Sequence, residues 1–123
     1  MDENEVHIVV VDDVSDAAQA MALALELNGY VVRIASDGLA ALALIEERQP
    51  HCVLLDVDMP GIDGCELSKI LRQRYGDDMV LIAVTGWDDQ MERVSETFAR
   101  VDHYLKKPVD LAFLRKLLPP VGD

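Results

Sequence analysis

Cysteine, long apolar runs and an N-terminal leader pattern are all scarce or missing in this sequence. The two cysteines, Cys52 and Cys65, are too few for a disulfide framework and lack zinc-site spacing, so we interpret both as small apolar residues. The apolar runs extend over only a few residues, which excludes a predicted membrane span. Residues 1–6 have neither a basic region nor an apolar core, so no signal peptide is expected. These absences predict a cytoplasmic protein.

Basic residues are also scarce. The chain has 11 Lys and Arg against 23 Asp and Glu, which gives a formal net charge of −12. Because binding to phosphate backbones needs clustered cations, we expect no direct contact with nucleic acid, and anionic membranes should repel this surface. The excess of carboxylates indicates instead that some of them bind a cation.

What is present is a regular alternation of short apolar runs and amphipathic segments. With 123 residues, 50% of them apolar and 28% charged, the chain fits one globular domain over 1–123. Its core is expected over about 6–118, with 119–123 as a tail or the stump of a linker. The pattern predicts strands at 7–11, 30–34, 52–55, 79–84 and 102–106, and helices at 16–28, 38–48, 63–75, 89–99 and 111–118. Five such units predict an α/β fold, a doubly wound parallel sheet with five helices.

Polar residues follow the predicted strands at the edge where open parallel sheets bind ligands. Carboxylates of this kind repel one another unless a cation compensates them. Oxygen ligands on a rigid edge suit a hard divalent cation, and Mg²⁺ is preferred where phosphate is present. The strand-end residues are Asp12, Asp13, Asp56, Asp58, Thr85, Lys106 and Lys107.

Four short motifs identify a family. The sequence has VVVDD at 9–13, LLDVDMPGIDG at 54–64, AVTG at 83–86 and YLKKP at 104–108. In this order and spacing, they resemble the receiver domain of bacterial two-component response regulators, over about residues 6–118. The resemblance implies a flavodoxin-like fold with strand order 2-1-3-4-5.

The resemblance also implies the chemistry of the strand ends. Asp56 is expected to accept a phosphoryl group from a phosphohistidine on a histidine kinase or a histidine phosphotransfer protein. Asp13 is expected to bind Mg²⁺ directly, and Asp12 directly or through water, while Asp58 contributes its backbone carbonyl. Mn²⁺ is an expected substitute for Mg²⁺.

The remaining family positions belong to a phosphorylation-dependent switch. Lys107, directly before Pro108, is expected to pair with Asp56 and then with the phosphoryl group, across a candidate cis peptide bond. Thr85 is expected to donate its hydroxyl to that group, and Tyr104 to swing inward behind it. The resemblance implies a signalling domain rather than an enzyme, limited to self-catalysed phosphotransfer and slow autodephosphorylation. It implies a downstream protein target and leaves a homodimer open.

Two alternative functions would place the chain in a different class of protein. Asp56-Val-Asp58 after an apolar strand also resembles the nucleophile motif of haloacid-dehalogenase-type phosphatases. In those enzymes the acidic metal pair comes late in the chain, whereas Asp12 and Asp13 come first here, and no cap segment is present. A binding module that has lost phosphorylation would lack Asp56, Asp13 or Lys107.

The first predicted helix carries two apolar stripes. Met21 and Leu25, together with Ala17, are predicted to face the core. Leu23 and Leu27 form the second stripe, which we expect to contact the last helix, or alternatively a partner helix.

Four other residues are not assigned a definite functional role. His7, His51 and His103 are scattered, and we interpret each as an isolated surface residue. Trp87, the only tryptophan, either shields the phosphorylation site or has no role.

Overall fold

A five-stranded parallel sheet forms the centre of the molecule, in a computed structural model that describes residues 5–57, 64–86 and 100–121. The sheet order is β2-β1-β3-β4-β5, which confirms the predicted order and the α/β class. The strands are β1 (His7–Val11), β2 (Val31–Ala35), β3 (Cys52–Asp56), β4 (Val80–Thr85) and β5 (His103–Lys106).

Four helices occur among the described residues. They are α1 (Ser15–Leu27), α2 (Gly38–Glu47), α3 (Gly64–Tyr75) and α4 (Leu111–Leu117). The helix predicted over 89–99 lies outside the described residues, as do Asp58 and Trp87. Within the described ranges, no helix combines the length and apolarity that crossing a membrane requires.

The two faces of the sheet are covered by different helix pairs, because successive side chains of a strand point to opposite faces. Ile8 and Leu54 lie in a buried cluster with residues of α1 and α4. Val9 and Val53, one position along each strand, lie in a second cluster with residues of α2 and α3. Both faces are therefore buried, which explains the uninterrupted apolar strands.

Aspartate side chains cap two of the helices that the structure describes. The side chain of Asp37 caps α2 by accepting from Ala40 N at 2.7 Å, and Asp110 caps α4 in the same way. At α1, by contrast, no side chain caps the helix. Ser15 is already the first helical residue, and Val14 occupies the cap position without a side-chain hydrogen bond.

The two stripes of α1 differ from the sequence interpretation. Leu25 is fully buried as predicted, but Ala17 is exposed. Leu23 is 58% exposed and Leu27 is 79% exposed, so the predicted contact with the last helix is wrong. The exposed stripe of α1, defined here as Leu23 and Leu27, faces away from the described core.

The prediction that His7 is a surface residue is also wrong. It begins β1 and is only 6% exposed, whereas His51 is exposed and His103 is half-buried. The burial follows from the position of β1 in the middle of the sheet, between β2 and β3.

Candidate functional site

Three carboxylates meet at the carboxyl end of the two central strands. Asp56 is the last residue of β3 and is 4% exposed, while Asp12 and Asp13 follow β1 directly. One carboxylate oxygen from each of the three residues lies within 4.8 Å of the others. The sheet thus brings together three of the four acidic residues that the strand-end pattern singled out.

Backbone pairing explains this proximity. Val11 is opposite Leu55 in the parallel register of β1 and β3, so the next residues along the chain, Asp12 and Asp56, lie side by side at the end of the sheet. Asp12 N donates to Ala35 O at 3.1 Å and extends the pairing with β2. The side chain of Asp12 accepts at Oδ1 from Val14 N at 2.9 Å, which orients its carboxylate.

A lysine side chain from the segment after β5 completes the site. Lys107 Nζ donates to Asp56 Oδ2 at 3.1 Å, and the Lys107 side chain is 40% exposed. Lys107 N donates to Thr85 O at 2.8 Å, which holds the segment after β5 against β4. The Lys107–Pro108 peptide bond is cis, as expected. Lys106 instead ends β5 with an exposed side chain.

The two predicted switch residues lie next to this group. Thr85 is the last residue of β4 and is fully buried, and its neighbour Val84 pairs with Asp56. Tyr104 in β5 is half-buried and packs against a small cluster that contains Val57 and Ala83. Its hydroxyl oxygen is buried. The structure therefore places a hydroxyl donor on β4, next to β3, and an aromatic ring on β5, the following strand of the sheet.

An apolar cavity of about 480 Å³ opens beside the carboxylates. Ala17 and Met21 of α1 form one wall, and Val109 belongs to the segment that leads into α4. Asp12, Asp56 and Lys107 contribute charged groups to the lining. Sequence reasoning did not assign Ala17 or Met21 to the site. Their position could have indicated this, because both residues lie in the first two turns of the helix that follows Asp12 and Asp13.

The donor set fits a hard divalent cation. Three carboxylates and one ammonium carry a combined charge of −2 when all are ionised (−3 from Asp12, Asp13 and Asp56, +1 from Lys107). Carboxylate oxygens are the ligands that Mg²⁺ prefers, and a divalent cation would offset the mutual repulsion. Asp58, whose backbone carbonyl is expected to join them, lies outside the described residues.

Comparison with known proteins identifies relatives over nearly the whole chain. Response regulator MprA from Mycobacterium sp. strain KMS is 40% identical over 125 residues, which cover 95% of this chain and 54% of that protein. Response regulator MprA from Mycobacterium tuberculosis is 41% identical over 106 residues, covering 86% and 46%. The chain spans about half the length of these curated relatives.

Solved structures of response regulators are also similar to this chain. A response regulator receiver domain protein (CheY-like) from Methanospirillum hungatei is 31% identical with a TM-score of 0.83, covering 91% of this chain and 90% of that one. The response regulator TrrA from Thermotoga maritima, solved in complex with Mg²⁺-BeF, is 26% identical with a TM-score of 0.80, covering 91% and 95%. The haloacid-dehalogenase alternative finds no support among these comparisons.

The family model of the response regulator receiver domain matches residues 8–119. This range includes all the site residues described above. The chain belongs to the receiver domain family of two-component response regulators, whose members act as phosphoacceptors in signalling.

Proposed function

We propose that Asp56 is the phosphoacceptor of this domain. The observation that supports this most strongly is its position: a buried carboxylate at the end of the central strand, 3.1 Å from Lys107 Nζ and clustered with Asp12 and Asp13. Phosphoryl transfer needs a positioned nucleophile and neutralised charge more than covalent help from the protein. This arrangement supplies both.

The reaction is a displacement at phosphorus. A carboxylate oxygen of Asp56 forms the new P–O bond while the P–N bond of a phosphohistidine breaks. The imidazole leaves with the bonding electron pair and takes up a proton from water. The product is an aspartyl phosphate on this chain, which water later hydrolyses slowly.

Asp12, Asp13 and Asp56 would hold the divalent cation, with the backbone carbonyl of Asp58. Mg²⁺ is the favoured ion and Mn²⁺ the expected substitute, and the Mg²⁺-BeF complex of TrrA supports a site of this type. When bound, the ion supplies positive charge against the phosphoryl oxygens. Asp12 and Asp13 orient it, because their backbone is fixed by the end of β1.

Lys107, Thr85 and Tyr104 would read the phosphoryl group. The Lys107 ammonium exchanges its contact with Asp56 for a phosphoryl oxygen, and the Thr85 hydroxyl moves toward the same group. Tyr104, on the strand next to Thr85, then turns inward. The surface around β5 and α4 would thereby change its shape for a downstream protein, or for a second copy of this chain.

The phosphodonor would be a histidine kinase or a histidine phosphotransfer protein in the cytoplasm. The exposed stripe of α1 supports a helical donor that docks along α1, because Leu23 and Leu27 offer exposed apolar area on the helix that begins beside the site. α1 carries Asp16 and Glu26 but no Lys or Arg, so the complementary donor surface should be basic around an apolar centre.

The experiment is phosphorylation with acetyl phosphate and Mg²⁺, followed by intact mass measurement. The wild-type chain should gain one phosphoryl group, and Asp56→Asn should gain none. Asp16→Asn, which removes an exposed acid in the first turn of α1, is the matched control and should label normally. Undiminished labelling of Asp56→Asn would overturn the assignment.

A further inference from the structure

Two histidines that are far apart in sequence stack at the opposite end of the sheet. His7 is the first residue of β1, and its side chain is 8% exposed. His51 directly precedes β3. The ring centroids are 6.1 Å apart and the ring planes differ by 21°. These rings lie five positions before Asp12 and Asp56 in the same two strands, so the site and the pair occupy opposite ends.

A reciprocal set of hydrogen bonds joins the two residues. His51 N donates to His7 O at 2.8 Å, which is ordinary sheet pairing. His7 N donates to His51 Nδ1 at 3.0 Å, so here a side chain accepts in place of a carbonyl. That bond needs the lone pair of Nδ1, which an imidazolium does not have. Protonation of His51 at this atom therefore breaks the bond.

The pair is also connected to a third strand. His51 O accepts from Val80 N at 3.0 Å, where β4 begins. His51 therefore contacts β1 through its ring and β4 through its backbone. Loss of the ring contact would loosen the start of three neighbouring strands.

The ring of His7 resists protonation for a separate reason. Neither of its nitrogens has a hydrogen-bond partner within the described ranges, although Glu5 Oε1 is 3.4 Å from Nε2. Burial, and next the charge of Arg48, lower the pKa of His7 below its usual 6.5. Glu5 opposes this shift and His51 adds to it, but the net direction is downward.

We propose that His7 and His51 form an acid-sensitive latch that closes the amino-terminal end of the sheet when both rings are neutral. The charged and titratable groups that act on His7 are Arg48, Glu5 and His51. The latch opens when protons add to the pair, independently of the carboxylates at the other end.

The direction of the effect follows from linkage. A His whose pKa is lower in the folded chain favours folding fully above its unfolded value of about 6.5. This contribution is lost as the pH falls from there through the folded value. The loss precedes the protonation of most carboxylates, whose usual pKa values are about 4.

The experiment is urea unfolding of the full chain at pH 7.5, 6.5 and 5.5. Wild type should unfold more readily at pH 5.5, with the unfolding constant rising up to about tenfold per pH unit for each proton taken up. His51→Asn should flatten this dependence, because its amide oxygen can accept from His7 N without titrating. His7→Phe keeps an aromatic ring against His51 and removes the second proton site.

His103→Gln, on β5, is the control and should keep the wild-type dependence. Titration of the histidine ring protons by NMR gives a second readout that does not require a stable variant. The proposal predicts that His7 titrates below 6.5 in the folded chain. Unchanged pH dependence in both His7→Phe and His51→Asn, or titration of His7 at or above 6.5, would overturn it.

Discussion

The guanidinium of Arg72 in α3 donates to Asp102 Oδ2 at 2.8 Å, and the same oxygen accepts from Leu81 N at 2.8 Å. Asp102 N donates back to Leu81 O at 2.8 Å. Arg72 also binds Arg100 O at 2.6 Å and Met79 O at 3.0 Å. One ion pair therefore fastens the end of α3 to the segments that lead into β4 and β5, and so supports the strand that carries Tyr104.

Asp102→Asn should destabilise the fold by about 1–2 kcal/mol, the cost of weakening charged hydrogen bonds at a side chain that is 42% exposed. Burial raises the pKa of Asp102, but the Leu81 amide and Arg72 outweigh this and lower it overall. The wild-type contribution is complete above about pH 4 and declines as the pH falls through the lower folded pKa. Urea unfolding at pH 7 and pH 3 should show a gap between variant and wild type that shrinks in acid. Asp77→Asn, whose fully exposed carboxylate is 3.9 Å from Arg72, should behave like wild type.

Asp13→Ala should weaken Mg²⁺ binding by about tenfold or more, since a charged ligand is lost from a cluster of three. A calorimetric titration with MgCl₂ measures this directly. Asp16→Ala removes the same charge from the exposed first turn of α1 and should leave the affinity within about twofold. Equal weakening in both variants would mean that the overall negative charge, rather than a ligand, attracts the ion.

Lys107→Gln should have opposite effects on metal binding and on phosphorylation. Lys107 Nζ is 3.1 Å from Asp56 Oδ2, and its removal should raise Mg²⁺ affinity by roughly fivefold. This factor corresponds to about 1 kcal/mol, the energy of two unit charges a few ångströms apart in water. The same change should slow labelling by acetyl phosphate, because the phosphoryl oxygens lose a cation. Lys106→Gln is the matched control, and weaker Mg²⁺ binding in Lys107→Gln would contradict the proposed pairing.

Leu27→Gln should separate docking from chemistry. Leu27 is 79% exposed, so its replacement should change the free energy of unfolding by less than about 0.5 kcal/mol. Labelling by acetyl phosphate should be unchanged, whereas transfer from a phosphorylated donor protein should slow. Leu39→Gln, which is 68% exposed on α2, controls for the loss of an exposed leucine. If Leu39→Gln slows transfer as strongly, the exposed stripe of α1 has no special part in docking.

Two glycines with positive φ should differ in their tolerance of alanine. Gly76 has φ +60°, close to the left-handed helical minimum, and a Cβ would meet nothing within 4 Å, so Gly76→Ala should cost about 1 kcal/mol. Gly29 has φ +95°, and a Cβ there would be 3.1 Å from Val121 Cγ1. Gly29→Ala should therefore cost more. Thermal unfolding of both variants checks this order, and equal costs would argue against the contact with Val121.

The sequence predicted the α/β class and the proximity of Asp12, Asp13 and Asp56 because both follow from local patterns and from the general topology of parallel sheets. Apolar runs followed by Asp12, Asp56 or Thr85 identify strand ends, and the topology alone brings those ends together. The exposed stripe of α1 could not be assigned in this way, because two stripes of similar apolarity left the choice to the position of α4.

The contacts that escaped prediction join residues far apart in sequence without a motif. Arg72 and Asp102 are 30 residues apart, and His7 and His51 are 44 apart. Each looked like an ordinary polar residue near the end of an element. Their partners are set by how the strands pair and by how α3 packs on the sheet, and neither is evident from the sequence.

The bond from Val14 N to Asp12 Oδ1 has a consequence for the thermodynamics of ion binding. A carboxylate that swings freely loses rotamer entropy when it becomes a ligand. The hydrogen bond at 2.9 Å already restricts the Asp12 side chain in the folded chain, so most of that entropy is lost during folding rather than during binding. Binding of the proposed cation would thus cost more through the removal of the ion's own hydration shell than through the ordering of Asp12.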